Sequence, residues 1–532
     1  MIKPLNKIVI VGGGSAGWMT AAALVKAFPN KDIFVIESPN FPILGVGEST
    51  LGGINGYCEY LGINEKDFMS FTDASYKMSI KFTDFYEKDS GGFHYPFGNP
   101  FVKDTIAGMH DWFYKKYFYP DTPIDDFVKC YFPQAALFEQ NKFSLNKYGQ
   151  FDNYDPKWDV AYHFDAIKFG LWLKEKYCFP RGVRLISDTV EGAELSDKGI
   201  EKLKLASGGA IDADLFIDCT GFKSLLLGEY LKEPFNSYSD MLPNNRAWAT
   251  RIQYKDKEKE LEPFTNSIAL GNGWVWNIPS WERLGTGYVY SDKYINPEDA
   301  KEEFKQYLMS DKILFPRTRE EVDALEFKDI PMRVGMHERT FVKNVCAIGL
   351  SAGFIEPLES NGLFSVHEFL FKLIKTLERP AVTQWDRDVY NATVFGMWRN
   401  FAEFVALHYA LSIRNDTPYW QANAERNYQK NMHKVEPTTA TGFYALQADK
   451  MYNSRTPDLG GITWISVGMH YFMIDKLTID KELLHTSPAD SRNRFERMFK
   501  EYENRKERWM EAAKDKPSLY QYLKDNIHSN DN

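Results

Sequence analysis

The residues whose spacing most plainly implies chemistry lie near the start of the chain. Ile8-Val9-Ile10-Val11 has the pattern of a short buried strand and runs directly into Gly12-Gly13-Gly14-Ser15-Ala16-Gly17. These six residues satisfy G-x-G-x-x-G, and Trp18 to Phe28 then read as an apolar helix. A second strand, Ile33-Phe34-Val35-Ile36, ends at Glu37, twenty residues beyond Gly17. Glycines at this spacing let the backbone approach a pyrophosphate at a helix N-terminus, and an acid ending the second strand accepts ribose hydroxyls. Strand, loop, helix, strand and acid in this order predict a dinucleotide site built on Gly12, Gly14, Ser15, Ala16, Gly17 and Glu37. An ordinary tight turn is the plain alternative.

Three further segments carry suitable side chains. In Gly273-Trp274-Val275-Trp276-Asn277-Ile278-Pro279, the tryptophans stand at i and i+2 and would present two indoles side by side on an extended backbone. Pro279 should end that strand, having no N–H for a ladder. A pair of core aromatics would show the same pattern. Tyr76-Lys77-Met78-Ser79-Ile80-Lys81-Phe82 alternates strictly, with Lys77, Ser79 and Lys81 on one face. Alone, this reads as a strand with a solvated lysine face. Glu359, in Pro357-Leu358-Glu359-Ser360-Asn361-Gly362, precedes an apolar helix from Leu363 to Leu377, where the macrodipole stabilises a carboxylate.

Later segments must complete the scaffold. Leu215-Phe216-Ile217-Asp218-Cys219-Thr220-Gly221 is an apolar strand closed by glycine, and Val345-Cys346-Ala347-Ile348-Gly349 repeats the pattern. Large flavoproteins of the glutathione-reductase type return to the dinucleotide with such late strands, which favours FAD over NAD; two more core strands is the bland reading. The expected class is α/β, with an FAD-binding, monooxygenase-like core over residues 1–380. Substrate-facing insertions are expected near 85–160, and a mainly helical C-terminal lobe over 381–532. There Trp398, Phe401 and Val405, and later Phe495, Phe499, Tyr502 and Trp509, recur at helical spacing.

Bulk properties narrow the function classes. The 532 residues are 44% hydrophobic and 15% aromatic, ample for a large core and flat stacking surfaces. A formal charge of −9 without a long basic run speaks against nucleic acid or anionic membrane as partners. Cys58, Cys130, Cys178, Cys219 and Cys346 are scattered and form no CxxC, so neither a metal site nor a disulfide framework is expected. No signal peptide precedes the first strand and no apolar run approaches a membrane span, so a cytoplasmic protein is expected.

Taken together, these residues resemble the flavin-dependent tryptophan halogenase family. The Gly12–Trp18 loop, Gly45-Val46-Gly47-Glu48-Ser49-Thr50, Lys77, Gly273–Pro279 and Pro357–Gly362 match in the family's order. So do Phe404-Val405-Ala406-Leu407-His408-Tyr409, then Arg414, Asp416-Thr417-Pro418 and Trp420. The resemblance implies that FAD, delivered as FADH2 by a separate NAD(P)H-dependent flavin reductase, uses O2 and a halide ion to make hypohalous acid. A lysine then delivers the halogen, as a haloamine or through a hydrogen bond, to an electron-rich aromatic small molecule. Lys77 falls on that lysine: an amine on a rigid strand suits electrophile delivery, and burial would tune its pKa. Glu359 matches the second catalytic residue, a carboxylate that stabilises the cationic ring and takes its proton.

By the same resemblance, Asn361 and Gly362 fall on the halide-binding turn, where backbone N–H groups cradle an anion. Trp274 and Trp276, closed by Pro279, match the residues that separate organic substrate from flavin. Ser38, Glu48, Ser49, Leu350 and Leu363 fall on cofactor-contacting positions. A homodimer or higher homo-oligomer is a further expectation. Phe93-His94-Tyr95-Pro96-Phe97-Gly98 resembles the substrate-stacking loop, with Tyr95 in place of histidine, Phe97 as the stacking ring, and Trp464 as the second face of an aromatic sandwich. Two departures matter. Asn361 replaces the usual threonine, and Arg455–Gly461 lacks the glutamate that holds free tryptophan's amino group. Neutral aromatics, with bromide or iodide preferred over chloride, are therefore expected. A single-component FAD hydroxylase and a non-catalytic flavin-binding protein are the competing readings.

Overall fold

The computed structural model describes residues 5–40, 48–103, 111–426, 462–470 and 488–529. Gly45, Val46 and Gly47, and the stretch 455–461, lie outside the described residues.

The nucleotide pattern folds as its residues dictate. Lys7–Val11 is a strand pairing in parallel with Asp32–Glu37 on one side and Leu215–Asp218 on the other. Strands covered on both faces are continuous apolar runs, as these are. The full sheet runs Phe341–Val342, Val345–Ala347, Leu215–Asp218, Lys7–Val11, Asp32–Glu37, Arg184–Ser187, antiparallel only in its first pair. Both late apolar strands thus join the first. Gly12 turns with φ 119°, and a Cβ there would lie 2.2 Å from the Cys219 carbonyl oxygen, so glycine is required. The helix spans Ser15–Ala27, earlier than the apolar run from Trp18 suggests, because Gly14 is already its N-cap.

The chemistry segments lie in other sheets. Seven strands run in the order Lys328–Pro331, Arg246–Ile252, Leu284–Tyr290, Gly273–Pro279, Phe264–Ala269, Ser79–Thr83, Gly92–Pro96. Pro279 is the last residue of its strand, as its missing N–H requires. The alternating run from Tyr76 to Phe82 is two strands, not one. Ser75–Lys77 pairs with Ala161–Phe164, which also carries Glu48–Ser49, whereas Ser79–Thr83 pairs with Phe264–Ala269. Met78 is the seam: its N–H donates to the Pro263 carbonyl and its own carbonyl accepts from Phe97. Lys77 consequently points inward, at 0% exposure, while Lys81 is half-buried.

Every described element after Phe354 is helical. Gly362–Leu377 packs along Ser15–Ala27, which brings the turn before it beside the glycine loop. The main hydrophobic core extends from Ile8 to Ile527, and a smaller second core gathers around Trp248, Tyr288 and Phe304. No described helix is long and apolar enough to cross a membrane.

Candidate active site

The glycine loop fits a dinucleotide. Gly14 caps its helix without any side-chain hydrogen bond, leaving the first-turn N–H groups to an anionic ligand. A Cβ on Gly14 would meet nothing within 4 Å, so the loop borders open space. Glu37 ends the second strand with Oε2 2.9 Å from Lys174 Nζ. Ser38 Oγ lies 2.6 Å from Thr189 Oγ1. A Cβ on Gly349 would come within 3.0 Å of Ala16 Cβ, so the Gly349–Ser351 turn, with Leu350, abuts the loop.

Lys77 closes its short strand with its amine sealed inside. Nζ donates to the Thr50 carbonyl at 2.9 Å and to Ser360 Oγ at 2.7 Å, and lies 4.9 Å from the Phe97 ring centroid. Burial pushes its pKa well below that of a free lysine, and the Glu359 carboxylate partly opposes the shift. An ammonium so placed gives up its proton more readily than that of a free lysine.

Glu359 ends the turn Pro357–Glu359, and Ser360 follows in the left-handed region at φ 56°. That kink, rather than a helix start, aims the carboxylate. Glu359 is 0% exposed, and burial raises its pKa, with His408 and then Lys77 pulling it back. His408 Nε2 lies 2.9 Å from Glu359 Oε1 without linear hydrogen-bond alignment, and the carboxylate meets no other donor among the described residues. His408 Nδ1 faces the Val405 carbonyl at 3.2 Å. A carbonyl only accepts, so the Nδ1 proton faces Val405 and Nε2 faces the Glu359 carboxyl.

Asn361 is the N-cap of Gly362–Leu377 and uses no side-chain cap bond. A Cβ on Gly362 would approach Glu48 Oε2 to 3.2 Å. Burial, then the Asp165 charge, raises the Glu48 pKa to about 7. The turn thus has an open helix start beside an acid held partly protonated near neutrality. Leu363 is buried behind it. The Ser49 hydroxyl lies 3.0 Å from Ser360 Oγ and 2.6 Å from Thr265 Oγ1.

Trp274 and Trp276 do lie together, ring centroids 6.2 Å apart at 60°. Trp276 lies over Gly287 of the next strand, where a Cβ would meet the indole at 2.2 Å. Trp274 has a second partner: its Nε1 donates to Glu356 Oε2 at 2.8 Å. Asn244 at 2.7 Å and the Tyr409 hydroxyl at 2.8 Å donate to the same oxygen. The indole therefore grips the loop that carries Glu359.

On the other side, Phe97 and Tyr95 have ring centroids 6.4 Å apart, and Gln134 Nε2 donates to the Phe97 carbonyl at 2.6 Å. Burial, then Glu359, pushes the Tyr95 phenol up, which places the phenol within the carboxylate's field. Trp464 packs on Phe127 at 5.1 Å and Phe132 at 4.9 Å.

Sequence reasoning assigned no role to His408, Glu356, Thr265 or His163. His408 lay within a matched segment and Glu356 directly before one, so both had a signal to follow.

Parallel strands around an open glycine loop, with a buried lysine and carboxylate behind paired tryptophans, define an FAD-binding enzyme of the monooxygenase-like class. The sequence profile of the tryptophan halogenase family matches residues 7–459, and the chain belongs to that family. It is 34% identical over 450 residues to tryptophan 7-halogenase RebH of Lentzea aerocolonigenes, covering 82% of each. The apo structure of VirX1 superposes with a TM-score of 0.89 at 37% identity, covering 99% of this chain and 100% of that one. BrvH, a flavin-dependent halogenase from Brevundimonas sp. BAL3, superposes with a TM-score of 0.80 at 28% identity, covering 98% and 99%. The chain is a flavin-dependent halogenase.

Proposed function

We propose that this halogenase acts on free, neutral, electron-rich aromatic molecules, that Lys77 delivers the halogen, and that bromide or iodide is preferred over chloride. One observation carries the reading: the sealed Lys77 amine lies 4.9 Å from the Phe97 ring centroid and within the field of the buried Glu359. An aromatic ring lying against Phe97 and Tyr95 meets an electrophile donor and a proton acceptor together.

FAD, held by Gly12, Gly14, Ser15, Ala16, Gly17 and Glu37 and reduced by a separate reductase, supplies the O2 activation that oxidises halide. Leu350, Leu363, Ser38, Glu48 and Ser49 would line its site. Asn361 and Gly362 would hold the halide at the open helix start. Trp274 and Trp276 form the partition that forces the oxidised halogen past Lys77.

RebH acts on tryptophan. Here the sequence between Arg455 and Gly461 offers no glutamate for an amino group, and Tyr95 is a neutral phenol, so a zwitterion would leave its charges unmatched. Asn361 in place of a β-branched residue suits a larger, more polarisable anion, and bromide and iodide are also easier to oxidise. The test is mass spectrometry on a panel of indoles and phenols with chloride, bromide or iodide, FAD and a flavin reductase. Brominated or iodinated neutral aromatics are expected. Efficient chlorination of free L-tryptophan, ahead of simple indoles, would overturn the reading.

A further inference from the structure

A chain of buried hydroxyls leads away from Lys77. Ser360 Oγ, 2.7 Å from the amine, is 3.0 Å from Ser49 Oγ, which is 2.6 Å from Thr265 Oγ1, which is 2.8 Å from His163 Nε2. None of these residues is more than 6% exposed. They come from three separate pieces of the fold. Ser49 and His163 are register partners in the small sheet, Thr265 lies on the seven-stranded sheet, and Ser360 is the left-handed residue after Glu359.

The two ends set the direction of every bond. A protonated amine only donates, so Ser360 accepts from Lys77 and its own single proton points to Ser49. At the far end, His163 Nδ1 faces the Pro279 carbonyl at 3.1 Å and Ser75 Oγ at 3.3 Å. Ser75 already spends its proton on the Pro279 carbonyl, so both neighbours of Nδ1 can only accept from it. Nδ1 therefore carries the hydrogen and Nε2 presents a lone pair to Thr265. Each hydroxyl is left with one donor behind it and one acceptor ahead.

We propose that His163 is the terminus of a proton relay from Lys77, carried by Ser360, Ser49 and Thr265. This rests on the reading of Lys77 as the delivering amine. In the step, an N–H bond of the Lys77 ammonium breaks and an Nε2–H bond forms on His163. Each hydroxyl gives one proton and receives one, and the positive charge moves from ammonium to imidazolium. The freed amine lone pair then attacks the halogen of hypohalous acid. An N–halogen bond forms as the O–halogen bond breaks, and the departing hydroxide takes a second amine proton as water. As the halogen passes to the ring, the His163 proton returns along the same path to the nitrogen, and the proton that the ring gives up through Glu359 restores the ammonium. Thr265, Ser49 and His163 act through Lys77 and are positioning residues.

The charged groups around the ring fit this use. Burial, and then Lys77 across the small sheet, disfavour a permanent charge on His163, so Nε2 rests empty. Asp165, two residues on, is engaged by Arg283, and Glu48 adjoins Ser49 on the neighbouring strand.

The test compares Thr265→Val, which interrupts the hydroxyl chain, with Thr265→Ser, which restores it. Single-turnover halogenation and flavin reoxidation are followed from pH 6 to 9 alongside FAD binding and thermal midpoint. Thr265→Val should slow halogenation about tenfold or more and move its pH profile by about one unit, with reoxidation unchanged. Thr265→Ser and His163→Gln should respectively recover and reproduce these changes. A packing role alone would lower stability without moving the profile. An unshifted profile in Thr265→Val, with Lys77→Ala inactive, would overturn the relay and leave the delivery reading standing. Lys77→Ala active to within about tenfold, ~1.4 kcal/mol in barrier, would sink the delivery reading itself. Should Thr265→Val not fold, nitrogen-15 spectra of the histidine rings decide the point. The His163 resonance, assigned by its loss in His163→Gln, should report the Nδ1–H tautomer, and an Nε2–H tautomer would overturn the relay.

Discussion

Glu356 and Glu359 are buried on the same short loop, both 0% exposed, yet their surroundings are opposite. Glu356 gathers Trp274, Asn244 and Tyr409 on one oxygen, whereas among the described residues Glu359 meets only His408. A buried carboxyl with three donors is an anchor; one left almost bare keeps its basicity for a reaction. The loop is thus fastened at one acid so that the other can remain unfastened, and Trp274 fastens it from the strand Gly273–Pro279.

Mutations should separate the two acids. Glu359→Gln keeps the shape and removes the base, so halogenation should fall about a thousandfold, ~4 kcal/mol in barrier, while flavin reoxidation proceeds as before. Because burial raises the Glu359 pKa, the folded state holds its proton more tightly than the unfolded chain. Stability from this group is therefore lost as pH rises through the raised value, and Glu359→Gln should hold or raise the melting temperature at pH 8. Slowed reoxidation instead would move Glu359 to the flavin side.

Glu356→Leu should act the other way, lowering stability by about 3 kcal/mol by stranding three buried donors, measurable by denaturant unfolding. Trp274→Phe removes one of those bonds and should lower stability by about 1 kcal/mol, with the halogenation rate falling as the Glu359 loop loosens. If Trp274 were only a partition, the rate would be unchanged and oxygenated by-products would rise.

Glu48 tests the halide turn. With a pKa of about 7, it is mostly neutral at pH 6 and mostly ionised at pH 8, beside Gly362. Repulsion between like charges should raise the halide KM about tenfold across that range, and Glu48→Gln should flatten the dependence. The smallest effect is expected from Lys81→Ala, within about threefold of wild type, because Lys81 lies on the other side of the Met78 seam, 5.8 Å from Phe264.

The contrast between the acids also shows where sequence reasoning stops. The glycine loop was legible because its constraints are contiguous: Gly12 and Gly17 answer to sterics within one turn and the strand beside it. The two tryptophans were legible as a pair for the same local reason. The partner of the Trp274 indole lies 82 residues away, so its second task left no local mark. Alternation from Tyr76 to Phe82 suggested one strand, since a change of sheet at Met78 preserves the period of two while changing every neighbour. Lys77 and Glu359 came from family resemblance, and their depth depends on pairings no periodicity encodes. Thr265 and His163 are ordinary strand residues until the two sheets meet.

The main hydrophobic core, which reaches from Ile8 to Ile527, has a consequence for how the molecule comes apart. Helices near the C-terminus share their packing with the strands that would carry the nucleotide, so neither can melt while the other stays native. Unfolding should be a single cooperative transition, and hydrogen exchange in the last helices should slow when FAD binds at the opposite end of the sequence. The helical end of the chain then acts as a remote gauge of whether the cofactor is in place.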